Sequence, residues 1–459
     1  MNAKLTITQK STHWFVLAIG SLFVLSTMAQ TQTAYAQLEI DITGGNIEPL
    51  PIAISSFFGP QDTEQQVGAD IASVVANDLE SSGLFRPLDS RSFLQRPEQM
   101  KMIPRFPDWR QINAQALVTG TASLESDGFV TIEFRLWDVF SEQYMTGFKL
   151  KAPREKWRRI AHLISDAIYQ RLTGEQGYFD TRIVYIAETG PQDVRIKRLA
   201  IMDQDGANHR FLTDGSNLVL TPRFSPTLQE ITYLSYLDGR PQVYLRNIDS
   251  GREEILGDFP GNMTIAPRFS PDGNKVVMSV ANEGNTEIYE LDLRTRVQQQ
   301  LTRHPAIDTA PSYSPEGARI SFESDRSGTQ QIYVMYADGS EPNRISFGQG
   351  RYATPVWSPR GDWVAFTKSS KGTFYIGVMR PDGSDERLLS TGFLVEGPTW
   401  APNGRVLMFF RDYPGDGNGQ GGRVRLFSID ITGRNEREIV TTTDASDPAW
   451  SPLIPKDSP

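Results

Sequence analysis

Beyond residue 36 the chain holds three histidines, His162, His209 and His304, and no cysteine at any position. A serine hydrolase of the α/β type would need a G-x-S-x-G elbow with its acid and its histidine. No G-x-S-x-G is present. His162 falls in a helical stretch and the other two between strand-like runs, so the three read as scattered surface residues. The lack of cysteine excludes disulfides, thiolate metal sites and a lipid-modified cysteine anchor. Gly417-Asn-Gly-Gln-Gly-Gly422 matches G-x-G-x-x-G. It does not open a helix within a βαβ unit, which dinucleotide binding requires, and reads as a hairpin insertion. Asp203-Gln-Asp-Gly206 resembles part of a calcium loop but lacks the alternating ligands and the closing glutamate. It reads as a turn. The formal net charge of -9 argues against non-specific nucleic-acid binding, which needs a positive field. No catalytic group and no cofactor site follows from these residues.

The elements around them are more informative. Pro222-Arg-Phe-Ser-Pro226 recurs as Pro267-Arg-Phe-Ser-Pro271, Pro311-Ser-Tyr-Ser-Pro315, Pro355-Val-Trp-Ser-Pro359, Pro398-Thr-Trp-Ala-Pro402 and Pro448-Ala-Trp-Ser-Pro452. The steps are 45, 44, 44, 43 and 50 residues. Between motifs come β-rich runs such as Arg319-Ile-Ser-Phe-Glu323 and Gln331-Ile-Tyr-Val-Met335, with Asp-Gly turns such as Asp338-Gly339. Four short strands per repeat of this length predict propeller blades. The central aromatics (Phe224, Phe269, Tyr313, Trp357, Trp400 and Trp450) are expected to pack between blades. Arg182-Ile-Val-Tyr-Ile-Ala187 begins a unit without a leading motif, and the last motif has no unit behind it. Joining them completes a sixth blade and removes the exposed sheet edges. The sequence leaves ion binding on the propeller axis open.

Residues 49–175 lack the repeat and predict a small α/β domain. Pro51–Ser55, Ala116–Gly120 and Phe129–Leu136 read as strands. Val67, Ile71, Val74, Val75 and Leu79 have helical spacing, with Gly83 placed to end the helix. A second amphipathic helix runs from Trp157 to Leu172, before Gly174. The fold class is therefore α+β and multi-domain: a small N-terminal α/β domain, then a six-bladed all-β propeller over 181–453.

Residues 1–36 have the layout of a secretory signal peptide. Lys4 and Lys10 precede an apolar run from Trp14 to Met28, and Ala34-Tyr35-Ala36 supplies the small residues of a cleavage site. The run is short for a membrane span of roughly 20 residues; an uncleaved anchor is the other reading. Cleavage between Ala36 and Gln37 would release an exported protein with no membrane insertion. In 37–48, Leu38, Ile40 and Ile42 alternate with Glu39, Asp41 and Thr43, and Gly44-Gly45 follows. Such a strand could pair with another chain or lie at the edge of its own domain.

Leu172-Thr-Gly-Glu-Gln-Gly-Tyr-Phe-Asp-Thr-Arg-Ile-Val-Tyr185 resembles the interdomain junction of the TolB family, periplasmic proteins of the Tol-Pal system. Ser82-Gly-Leu-Phe-Arg-Pro-Leu-Asp89 resembles another TolB segment, and the likeness covers essentially the whole mature chain. It implies a monomeric, non-enzymatic scaffold linking the peptidoglycan-associated lipoprotein of the outer membrane to TolA of the inner membrane. Such a scaffold supports outer-membrane constriction in division and envelope integrity. The resemblance places lipoprotein docking on propeller loops that precede the repeated motif: Met263, Thr264, Asp308, Thr309, Tyr352, Thr354 and Glu396. Asp308-Thr309 matches the family loop best; Met263 and Thr264 depart from its polar, histidine-bearing pattern. The TolA-binding segment maps onto Gln37 to about Ile47, with Leu38, Glu39, Ile40, Asp41 and Ile42 as contacts. The rival readings are a propeller binding carbohydrate or an ion, or one associated with a hydrolase.

Overall fold

The structure, a computed structural model, describes residues 38–40, 48–191, 194–237, 239–256, 263–415 and 422–455, with backbone alone at 263–266. The expected signal peptide with Ala36 and Gln37, the positions Asp41 and Ile42, and most of the glycine-rich run 417–422 lie outside these residues.

The N-terminal sheet contains β1 (Leu50–Ile54), β2 (Phe85–Pro87), β3 (Ala116–Leu124), β4 (Phe129–Asp138) and β5 (Gln143–Pro153), in the order β2-β1-β3-β4-β5. The pairs of β1 are parallel and the rest antiparallel. Three helices accompany the sheet: α1 (Asp62–Ser81) joins β1 to β2, the short α2 (Phe106–Gln111) precedes β3, and α3 (Trp157–Thr173) follows β5 and packs beside α1 in a common core. The apolar stripe of α1 that the spacing predicted (Val67, Ile71, Val74, Val75 and Leu79) is buried throughout. Gly83 follows α1 at φ +72 and Gly174 ends α3 at φ +73, a left-handed conformation that glycine adopts without penalty. Gly68 lets α1 approach its own sheet, because a β-carbon there would lie 2.1 Å from the carbonyl oxygen of Phe57.

Residues Arg182–Trp450 form six four-stranded antiparallel blades. Their inner strands are Val219–Phe224, Met263–Phe269, Asp308–Tyr313, Arg351–Trp357, Leu394–Trp400 and Asp444–Trp450, each ending on the motif aromatic. Closure is as expected: Asp444–Trp450 pairs with Arg182–Thr189, with Ala445 opposite Ala187 and Trp450 opposite Ile183. The aromatics pack between blades. Trp400 lies against Val356 and Ile376 of the preceding blade, and its Nε1 donates to the Val356 carbonyl at 3.0 Å. Tyr313 lies against Val277 and Ile288. After four of the motifs a Ser- or Ala-Pro-x-Gly turn closes on its glycine N–H, at Gly273, Gly317, Gly361 and Gly404; at Gly317, φ is +73 and the N–H donates to Ser314 O at 2.9 Å. The 50-residue step arises between paired strands of the fifth blade, where Tyr413 is opposite Arg423.

The two parts share one continuous apolar core. Ile71, Leu79, Ile168 and Tyr169 join Phe179 of the junction and Ile183, Met408 and Trp450 of the propeller. Polar contacts surround it: Asn435 donates to Ser81 O at 2.8 Å, Asn403 to Gln176 O at 3.2 Å, and Arg360 pairs with Glu175 at 2.7 Å. These propeller residues all lie in turns joining first to second or third to fourth strands. The N-terminal domain therefore packs on that end of the ring, over the fourth to sixth blades. The connections that enter each inner strand are at the opposite end.

Candidate partner-docking site

The predicted docking residues lie in the first half of the inner strands, not in the loops before them. Met263 and Thr264 pair with Ala281 and Val280; Asp308 and Thr309 pair with Ser324 and Glu323. Tyr352 is opposite Lys368 and Glu396 opposite Phe410. The loop expectation fails because the inner strands start three or four residues ahead of the motif proline, and the proline is absorbed as a bulge. Pairing slips by one residue at this point in every blade, two inner-strand residues facing one on the neighbouring strand. The residue before the proline turns to positive φ at Thr221, Ala310, Thr354, Gly397 and Asp447, between +46 and +66. Threonine, alanine and aspartate hold this conformation at a cost, and side chains of neighbouring blades secure it. The N–H of Ala310 donates to Ser279 Oγ at 3.1 Å, and that of Thr354 to Glu323 Oε2 at 3.3 Å.

The bulges bring the candidates around one axial mouth, where their exposures differ. Asp308 is fully buried and pairs with Arg326 at 2.7 Å; that guanidinium lies 5.2 Å from the Phe322 ring and 5.0 Å from Tyr333. Tyr352 is also fully buried and donates to Glu386 at 2.8 Å. Neither can meet a partner directly; both brace the wall. Thr309, Thr354 and Glu396 are partly exposed. Two carboxylates absent from the sequence-based set complete the mouth, Glu323 and Asp447. Burial pushes both up, as it does Glu396, and like charges add to it: Glu396 acts on Glu323, and Asp447 on Glu396. The mouth is acidic.

Its rim is apolar. Leu218, Ile307, Phe347 and Phe393 lie in four of the connections leading into inner strands and are 43%, 46%, 70% and 62% exposed. A partly desolvated polar centre within an exposed apolar rim is the composition of a protein-docking surface. No local signal marks these four residues; only the propeller topology gathers them at one end.

Leu38–Ile40 forms no strand in its own sheet. The Ile40 N–H donates to Leu172 O at 2.7 Å, at the end of α3, and the Ile40 side chain is buried in the shared core with Leu38 packed beside it. His162 departs from the surface reading altogether, being 3% exposed. Its Nδ1 is 2.7 Å from Asp78 on α1, and its Nε2 is 3.9 Å from both Asp203 and Asp205 of the propeller. Gln204 donates to the other oxygen of Asp78 at 2.9 Å, and Arg158 binds Asp205. The Asp203–Gly206 turn is thus an interdomain lock. Burial alone would lower the His162 pKa, but Asp78, with Asp205 and Asp203, raises it to about 9. Asp78, His162 and Asp205 lie close enough to hold a metal. The imidazolium and Arg158 already supply the positive charge, which makes the group an ion-pair cluster.

Residues 38–145 match the TolB amino-terminal domain and residues 169–454 the TolB beta propeller domain. The chain is 64% identical over 439 residues to the Tol-Pal system protein TolB of Paramagnetospirillum magneticum, covering 96% of this chain and 98% of that one. The chain belongs to the TolB family. The crystal structure of TolB from Acinetobacter baumannii aligns with a TM-score of 0.77 at 28% identity, over 91% of this chain and all of that one. TolB membership gives the chain a role in the Tol-Pal system, in a family named for that system and not for a reaction. Among the described residues no helix is long and apolar enough to cross a membrane.

Proposed function

We propose that this TolB-family protein is a non-enzymatic periplasmic scaffold that joins the peptidoglycan-associated lipoprotein to TolA. In this reading the acidic mouth and its apolar rim receive the lipoprotein. The mature N-terminus, from Gln37 to about Ile47, is the segment that TolA takes. The link supports outer-membrane invagination in cell division and envelope integrity. The observation that carries the reading is the arrangement of the two ends of the ring. The exposed apolar rim is at the end free of the N-terminal domain, and Leu38–Ile40 is parked on that domain by one backbone hydrogen bond and the burial of Ile40. Among the described residues, a stretch held in this way can be released to a competing partner. A lipoprotein at the mouth favours release only as far as it binds better to the released form.

The test is capture from an envelope extract by the mature chain beginning at Gln37 and by one beginning at Pro49. Both are expected to capture the lipoprotein, and only the longer one TolA. TolA captured equally by both would overturn the assignment of the N-terminal segment.

A further inference from the structure

The axial channel has a second half, beyond the bulges and toward the N-terminal domain, that the docking face does not use. A cavity of about 320 Å³ lies there. Its wall is built from the residue that follows the motif proline in successive blades: Arg223, Arg268, Ser312, Val356, Thr399 and Ala449. Its mouth lies among the turn prolines, Pro226 and Pro271 included. Among the described residues no carboxylate lines it.

Four of its polar side chains are donors. Arg223 spends one terminal nitrogen on its neighbour, the Pro222 carbonyl, at 2.6 Å. Arg268 has no hydrogen-bond or ion-pair partner among the described residues. The Nε atoms of both are buried and unbonded. The hydroxyls of Ser312 and Thr399 each accept a backbone N–H, from Trp357 at 3.2 Å and Trp450 at 3.3 Å. Neither has an acceptor for its own proton among the described residues.

A guanidinium does not shed its proton in a protein, so two like charges stand side by side in the channel, each partly exposed with its Nε buried and unbonded. Burial first, and then the charge of Arg223, disfavour the charged form of Arg268. Asp447 offsets Arg223 but does not act on Arg268. Buried charges are retained where something pairs with them. Two guanidinium forks with converging hydroxyls are the donor set that recognises an oxyanion.

We propose that this half of the channel is a binding site for a small oxyanion, phosphate or a carboxylate, held by Arg223 and Arg268 with Ser312 and Thr399. The cavity takes one small anion. It faces away from the docking mouth, so the ligand is a free anion and not an acidic side chain of a partner seated there.

Inorganic phosphate and acetate, each titrated into the full mature chain against sodium chloride at equal ionic strength, test the site by thermal melting and by the phosphorus-31 line width. The expected result is a saturable rise in Tm with phosphate, acetate or both that chloride does not reproduce. R268Q is expected to weaken that binding about ten- to a hundredfold, as loss of a charge-assisted pair does. R268K, which keeps the charge and loses the fork, is expected to lie between. Equal shifts with chloride, the same phosphate response in wild type and R268Q, or no saturable signal at millimolar anion would each overturn the site. If R268Q fails to fold, the wild-type titration and R268K decide in the same way.

Discussion

Raising the pH should loosen the grip between the two domains, and His162 is the group responsible. Its imidazolium is enclosed by Asp78 at 2.7 Å and by Asp203 and Asp205 at 3.9 Å, with Arg158 the other cation of the cluster. The pKa is about 9 when folded and about 6.5 when unfolded. A pKa raised by folding gives stability that is complete below the unfolded value and is lost as pH climbs through the folded one. The window runs from about pH 6.5 to about pH 9. A gap of about 2.5 pH units corresponds to about 3 kcal/mol. Asp166, pushed up to about 7 by burial, also loses stability as pH rises, but only up to about pH 7, so the His162 contribution is read above that point. The assay is urea unfolding at steps from pH 6 to 9.5, with midpoint and slope recorded separately because a change of slope would report undocking of the domains. The wild type should lose about 3 kcal/mol across the window. H162Q should start less stable at pH 7 and change little. A flat wild-type profile, or an H162Q profile parallel to it, would show that the cluster does not hold the charge assigned to it.

Two further outcomes follow. Trp400→Ala removes a ring that is 5% exposed and its hydrogen bond to Val356; the loss should be about 3–5 kcal/mol by denaturant unfolding, and a loss under 1 kcal/mol would mean the blades pack without it. Thr309→Arg sets a long cation opposite Glu323 at the docking mouth. It should weaken lipoprotein binding about tenfold or more in calorimetry while Tm stays near wild type, and unchanged affinity would move the docking surface elsewhere.

The parts legible in the sequence were those with local causes. A proline-aromatic-serine-proline motif and an Asp-Gly turn act within a few residues, so six copies reveal six blades, and the unmatched ends reveal the closure. The helical stripes of α1 and α3 were legible for the same reason. β5 was less legible, because Gln143–Pro153 is nowhere fully buried and only its second half alternates, with Phe148, Leu150 and Ala152 set between Lys149 and Lys151. The positive φ before five of the motif prolines was hidden too, since Thr221, Ala310 and Asp447 do not suggest it and only ring-wide pairing enforces it. That bulge moved the candidate site from loops into strands and sent Asp308 and Tyr352 inward.

What the sequence hid most completely was partnership across long separations. His162 looks like a lone helical histidine until Asp78, 84 positions away, and the Asp203–Gly206 turn are folded against it. Leu218, Ile307, Phe347 and Phe393 look like unremarkable apolar residues before strands until closure sets them around one mouth. Arg223 and Arg268, in two copies of one motif, look like repeat filler until the ring places them side by side. In each case the chemistry belongs to a set of residues, and the set exists only after the sixth blade is completed by strands from opposite ends of the propeller segment. Opening that closure should therefore cost the docking mouth and the arginine pair together, although neither touches the strands that form it except through Asp444–Trp450.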